Sequence, residues 1–401
     1  MYYNRNLITA EQHPTDGSEA SGVFDLATQA YSQSKKDWPI PDDDFDVAFR
    51  IDPDNPVKVL ATRHTLGPVT YTVDWGDGTA ISTETDVTIS HDYSSGGVYI
   101  IKITQISGAT YALSNVQFAF ELTGFYANSS YNASTGKMQF QDKGRLKFLA
   151  VPFGIFANVT DFNTNFRGCV TLEEFPLLDV SSGTQFIQTW HTCLSLRSFP
   201  ALSFNSATDF RNTWERCYNL QTFPLITNTS NVTNFGSTWK DCGSLVSFPL
   251  IDTTGGTDFN YTWQSCRKLA SFPSINTANG TTFQFSWQNC VFTTFPSLNF
   301  GSGTTFRNAW QYCQSLANFP ADMFDSTGTL ASNAFFRSFE NCSLTAQSIE
   351  NILTSLDTNG ATGIELHIGG GSNASYSTWS QAAKDALSSL QGKSWSVTYR
   401  T

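Results

Sequence analysis

The chain has 401 residues and a formal net charge of −11; 40% of it is hydrophobic and only 14% charged. That length suits two or three packed domains, and the acidic balance argues against nonspecific binding of nucleic acid or an anionic membrane. No run of about 18 apolar residues is present, so no membrane-spanning helix and no membrane insertion are expected.

The opening Met1-Tyr2-Tyr3-Asn4-Arg5 lacks an apolar core, so a conventional secretion signal is not expected. More than half of the net negative charge lies in the first 60 residues, with acidic residues densest at Asp42, Asp43, Asp44 and Asp46. This cluster reads as a solvated linker; the ligand spacing and glycine of a calcium loop are missing. Before it, Gly22-Val23-Phe24-Asp25-Leu26-Ala27 leads to Lys35-Lys36-Asp37-Trp38-Pro39. The phrase is similar to short N-terminal segments of structural proteins in tailed phages. It implies that residues 1–42 attach the chain to other virion proteins through Val23, Phe24, Leu26 and Trp38. An ordinary helix docked on the next domain is the alternative.

Residues 57–105 read as strands separated by turns. Val69, Tyr71, Val73 and Trp75 alternate as a half-buried strand requires, and Gly76-Asp77-Gly78-Thr79 makes a tight turn. His91-Asp92-Tyr93 and Gly97-Val98-Tyr99 come next. Over roughly residues 43–120 this combination resembles a polycystic kidney disease (PKD) domain, which implies an Ig-like β-sandwich acting as a spacer or adhesion module. Asp77 is expected to satisfy turn amides. Residues 121–157 are expected to be a linker and the N-terminal cap of a repeat region that begins at residue 158.

From Phe166 to Cys342 an aromatic residue precedes a cysteine by three positions, eight times. Successive cysteines lie 24, 24, 25, 24, 24, 23 and 29 residues apart. A fixed period of this length marks a solenoid of stacked coils, here over residues 158–344. One copy is Thr257, Phe259, Trp263, Cys266, Leu269, Phe272, Pro273 and Ile275. The i, i+4, i+7 spacing of Phe259, Trp263 and Cys266 predicts a two-turn helix, with Thr257 as its N-cap. Leu269-x-x-Phe272 predicts a short strand of a parallel ladder, ended by proline, and Asn276 to Gly280 the return turn.

The eight cysteines invite a disulfide framework, yet each occupies one coil position beside apolar aromatics. They are expected to form a stacked ladder of buried thiols, inter-coil disulfides being the alternative. The coils resemble BspA-like leucine-rich repeats of bacterial surface antigens and phage appendages over roughly residues 145–345. That resemblance implies a curved solenoid presenting variable side chains for binding, and no chemistry.

After Cys342 the period stops. Ile349, Ile352, Leu353 and Leu356 predict a helix ended by Gly360, and Ile364 to Ile368 a strand. Trp379, Ala383, Ala386, Leu387 and Leu390 predict a second helix stopped by Gly392, and Trp395, Val397 and Tyr399 a last strand. Residues 345–401 are thus an expected α/β cap covering the final coil. The fold class expected is mixed α+β: an Ig-like sandwich, then a leucine-rich-repeat-type solenoid, then this cap.

No catalytic motif, phosphate loop, dinucleotide fingerprint or metal-ligand spacing is present, and the five histidines are scattered. No catalytic residue, no metal and no cofactor are expected. Candidate ligand-surface residues are those that vary from coil to coil. Arg197 and Gln221 come after the repeat leucine, while His191, Glu215, Lys240, Gln264, Gln288 and Gln311 come after the tryptophan. Solvated faces without a ligand are the alternative. The expectation is a non-enzymatic structural or adhesion protein of a tailed-phage virion (fibre, collar appendage or capsid decoration), oligomeric within the particle. Host polysaccharide or a surface protein is the expected ligand. A bacterial cell-surface adhesin is the alternative.

Overall fold

The computed structural model describes residues 159–401, residues 69–84 and the strands named below. The segment with Val23, Phe24, Leu26 and Trp38, and the acidic cluster after it, lie outside the described residues. The chain divides into two compact units, Met1–Asp161 with Asn165–Ser182, and Phe162–Thr164 with Gly183–Thr401.

The first unit contains β1 (Val47–Ile51), β2 (Lys58–Ala61), β3 (Val69–Asp74), β4 (Ser82–Glu84), β5 (Thr88–His91), β6 (Tyr99–Gly108), β7 (Gln117–Phe118), β8 (Leu122–Ala127) and β9 (Leu149–Ala150). They form a six-stranded sheet, β4-β3-β6-β1-β8-β9, and a three-stranded sheet, β5-β2-β7. All neighbours are antiparallel except β8 and β9. Strand β6 is central because Ile103 pairs with Val47 on one side and Val73 on the other. The linker expected after residue 120 differs, since β8 pairs along β1 and extends the same sheet.

Between β3 and β4 the polar groups of the turn close on Asp77. Its carboxylate accepts from the Thr79 amide (3.1 Å) and hydroxyl (2.7 Å) and meets His91 Nε2 at 2.7 Å. Burial alone would raise its pKa, but the hydrogen bonds from Thr79 and His91 outweigh that and hold it at about 2. Trp75, buried just past β3, stacks on His91 at 4.8 Å and 12°.

In the second unit the predicted two-turn helix is replaced by consecutive tight turns. In the coil from Thr257, the amides of Phe259, Tyr261, Trp263 and Ser265 donate to Thr282, Gln284, Ser286 and Gln288 of the next coil, at 3.0, 2.8, 2.8 and 2.7 Å. Thr262, Gln264 and Cys266 donate instead three residues back, to Phe259, Tyr261 and Trp263. Such alternation requires left-handed backbone, found at Tyr261 (φ 59°) and Ser265 (φ 60°). A short isolated helix is marginal, and these turns keep the predicted apolar face while using every second amide to join coils. The apolar spacing alone does not distinguish the two.

Thr257 is likewise a rung of a ladder and not a helix cap. Its amide and hydroxyl both donate to the Thr233 carbonyl, at 2.8 and 3.1 Å. Thr208, Thr233, Thr281 and Thr304 repeat this. The parallel ladder expected near Leu-x-x-Phe consists of single bridges, Thr222 to Ser247 to Ser271 and Thr294 to Asn318. A second ladder precedes the repeat phenylalanine, running Gln185, Asp209, Asn234, Asp258, Thr282, Thr305.

Aromatic rings fill the interior. Trp190, Trp214, Trp239, Trp263, Trp287 and Trp310 are fully buried and stack face to face, 5.3–5.8 Å apart and within 9° of parallel. The phenylalanine before each proline meets the indoles edge-on, as Phe248 does at 4.7 Å to Trp239 and 5.3 Å to Trp263. Both geometries suit the ring quadrupole. Glycine precedes the coil threonine where space is shortest: a Cβ on Gly280 would lie 2.3 Å from Phe283. Two coils carry Ala207 and Val232 there, and at the first of them the file of phenylalanines breaks. Phe210 stands edge-on to Phe186 (83°) and Phe235 (84°), while Phe259 and Phe283 are 2° from parallel.

The end of this unit matches the predicted pattern closely. Helix α1 (Ala346–Asn359) is capped by the Thr345 hydroxyl, which accepts from the Ser348 amide, and ends at Gly360 with φ 78°. Strand β10 (Glu365–Ile368) bridges the last coil through Phe335 and Leu366 and pairs in parallel with β11 (Ser396–Tyr399). Helix α2 (Gln381–Gly392) starts after Trp379, which lies outside it and donates its indole N–H to Ala374 O at 3.0 Å.

Candidate ligand-binding faces

The six residues just after the tryptophans are a cross-linked file and not an open surface. His191 Nε2 lies 3.6 Å and Lys240 Nζ 3.1 Å from the Glu215 carboxylate, to which Asn212 also donates. Gln264 donates to Gln288, Gln288 to Gln311 at 2.6 Å, and Gln311 to Glu340 at 2.6 Å. His191, Glu215, Gln288 and Gln311 are buried; Lys240 and Gln264 are half-buried. Each lies between two left-handed turn residues, and its side chain runs along the stack to the same position of a neighbouring coil. These contacts tie the six side chains to one another in two runs, His191 to Lys240 and Gln264 to Gln311, along the stack. Buried polar groups need such partners, since one left unpaired costs about 1–3 kcal/mol.

The residues after the repeat leucine behave differently. Arg197, Gln221, Val246 and Ala270 are exposed, on backbone tied rung to rung by bonds of 3.0–3.2 Å. Leu225 (55% exposed) and Leu250 (61%) lie on the same side of their prolines in adjacent coils. This outer file runs from charged to polar to aliphatic along the coils while its backbone repeats.

Two features escaped sequence reasoning. The residue before every repeat tryptophan but Trp310 is a buried hydroxyl that donates to the preceding coil, as Thr213 to Phe186 O, Thr238 to Phe210 O, Thr262 to Phe235 O and Ser286 to Phe259 O. The restriction of that column to Thr or Ser was its signal, broken only at Ala309 in coils of the full period. The cysteines, too, are more than small apolar groups. Cys217, Cys242, Cys266, Cys290, Cys313 and Cys342 donate S–H to the tryptophan carbonyl of the coil before, at 3.0–3.3 Å.

All eight cysteines are buried thiols, and none is in a disulfide. Burial pushes the thiols of Cys217 and Cys313 up to about 12, and those of Cys242, Cys266, Cys290 and Cys342 well above the usual range. They are thus protonated at neutral pH and are neither nucleophiles nor metal ligands as they stand. Among the described residues no group of His, Cys, Asp or Glu could hold a metal ion, and no helix is long and apolar enough to cross a membrane.

No protein-family model matches the chain, and no curated protein or solved structure is significantly similar to it.

Proposed function

We propose that the chain is a non-enzymatic structural and adhesion protein of a tailed-phage virion. In this reading the strands of the first unit form an Ig-like spacer, and residues 1–42 attach it to other virion proteins. The coils of the second form a leucine-rich-repeat-type solenoid that binds host-surface polysaccharide or protein. The observation that supports it is the division of labour within a coil. Interior rings, hydroxyls, thiols and the file after the tryptophans are all committed to neighbouring coils. Among the exposed positions is an outer file (Arg197, Gln221, Val246, Ala270) whose side chains differ on a repeated backbone. Such a surface recognises an extended partner and has no machinery for turnover.

The test is localisation. Antibodies against the second unit should decorate purified phage particles, and the chain should co-sediment with them. Recovery from the envelope of uninfected cells, with none on particles, would favour the bacterial adhesin instead.

A further inference from the structure

Two arginines occupy the position after the repeat phenylalanine in coils that lie four apart. Arg211 is paired: the carboxylate of Asp209, two residues earlier, takes its Nε at 2.9 Å and its Nη2 at 2.8 Å. In the coil of Arg307 the position of Asp209 is held by Thr305, which is buried. Arg307 has no acidic partner within ion-pair distance among the described residues, and its buried Nε meets no acceptor.

Its guanidinium is nonetheless held in place. Arg307 Cζ lies 5.0 Å from the ring centre of Phe336 and Arg337 Cζ lies 5.1 Å from it, so one ring carries two cations. Arg337 stands on left-handed backbone, φ 55°, a conformation that disfavours so large a side chain. The anions nearby are engaged. Glu340 sits 3.6 Å from Arg337 and accepts from Gln311, while Glu365 meets His367, whose ring lies 4.8 Å from Phe336. That leaves Arg307, a half-buried residue, as the arginine here without an ion-pair partner among the described residues, its guanidinium over an aromatic face.

We infer that Arg307, with Arg337 and Phe336, is a binding site for the carboxylate of an acidic saccharide. Asp209 on Arg211 shows, within the same chain and the same coil position, the group such an arginine takes. Arginine favours two-point recognition of planar carboxylates. The inference rests on the adhesion reading and narrows its ligand to a uronate-bearing polysaccharide.

Calorimetric titration of the full chain with oligogalacturonate tests it, with a neutral maltooligosaccharide, dextran sulfate and inorganic sulfate as parallel probes. Oligogalacturonate should bind, and Arg307→Gln should weaken it at least tenfold with the melting temperature unchanged. Thr305→Asp, which rebuilds the Asp209 pair beside Arg307, should weaken it comparably. Arg211→Gln should leave it intact. Equal binding by all variants would overturn the assignment to Arg307 and leave adhesion standing. Preference for dextran sulfate, or full competition by inorganic sulfate, would overturn the carboxylate class. Failure of the unmodified chain to bind any saccharide or host cell would remove the adhesion reading as well.

Discussion

At the scale of single residues, the cysteine column shows how one side chain serves packing and hydrogen bonding together. Cys266 fills space beside indoles and also satisfies Trp239 O at 3.3 Å in the preceding coil. Because folding raises these thiols above their usual 9.0, the unfolded chain releases its protons first as the pH climbs. Their stabilisation is complete below pH 9 and is lost between 9.0 and about 12, at about 1.4 kcal/mol per pH unit for each thiol. Urea midpoints should therefore hold up to about pH 9 and fall steeply as the pH rises from there toward about 12. An unchanged midpoint across that interval would mean the thiols reach water. That the cysteines share one environment was legible in their period, since equal spacing in stacked coils implies equal surroundings. That each donates to a carbonyl was not, because the acceptor belongs to a residue 26 to 32 positions away.

At the scale of the element, one apolar spacing admitted two backbones. Phe259, Trp263 and Cys266 face the same interior whether they stand on a helix or on successive turns. The turns prevail because alternate amides then bond the next coil, for which left-handed residues such as Tyr261 and Ser265 are the cost. Ser265→Gly removes the side-chain penalty of that conformation and should leave stability unchanged or raise it by up to about 1 kcal/mol. Ser265→Val places a β-branched side chain at φ 60° and should lower it by at least about 1–2 kcal/mol. Equal melting temperatures for both variants would argue that this segment is not left-handed. The C-terminal helices, by contrast, were readable because their signals are local. Thr345 caps α1, Gly360 ends it, and Ile349, Ile352, Leu353 and Leu356 line one face.

At the scale of the whole molecule, each coil bonds and stacks on the next, which makes stability a chain of nearest-neighbour terms. A defect in the middle of the stack then divides it. Trp263→Ala removes an indole that stacks on Trp239 and Trp287, and should cost about 3–5 kcal/mol. The second unit should then unfold in two steps in urea, monitored by hydrogen exchange at Trp214 on one side and Trp310 on the other. A single transition with the original slope would show that coils are coupled beyond their neighbours.

Period, interior and the C-terminal elements were determined by the sequence alone, because repeated apolar residues must be buried together wherever the chain turns. The variable positions were not resolved that way. His191, Glu215, Lys240, Gln264, Gln288 and Gln311 vary as an open surface would, yet they are linked along the stack, whereas Arg197 and Gln221 vary and stay exposed. Variation measures freedom from a shared apolar constraint, not contact with water. Only the three-dimensional stacking of coils, which brings residue 288 against residue 311, distinguishes a side chain bonded to its neighbour from one left exposed.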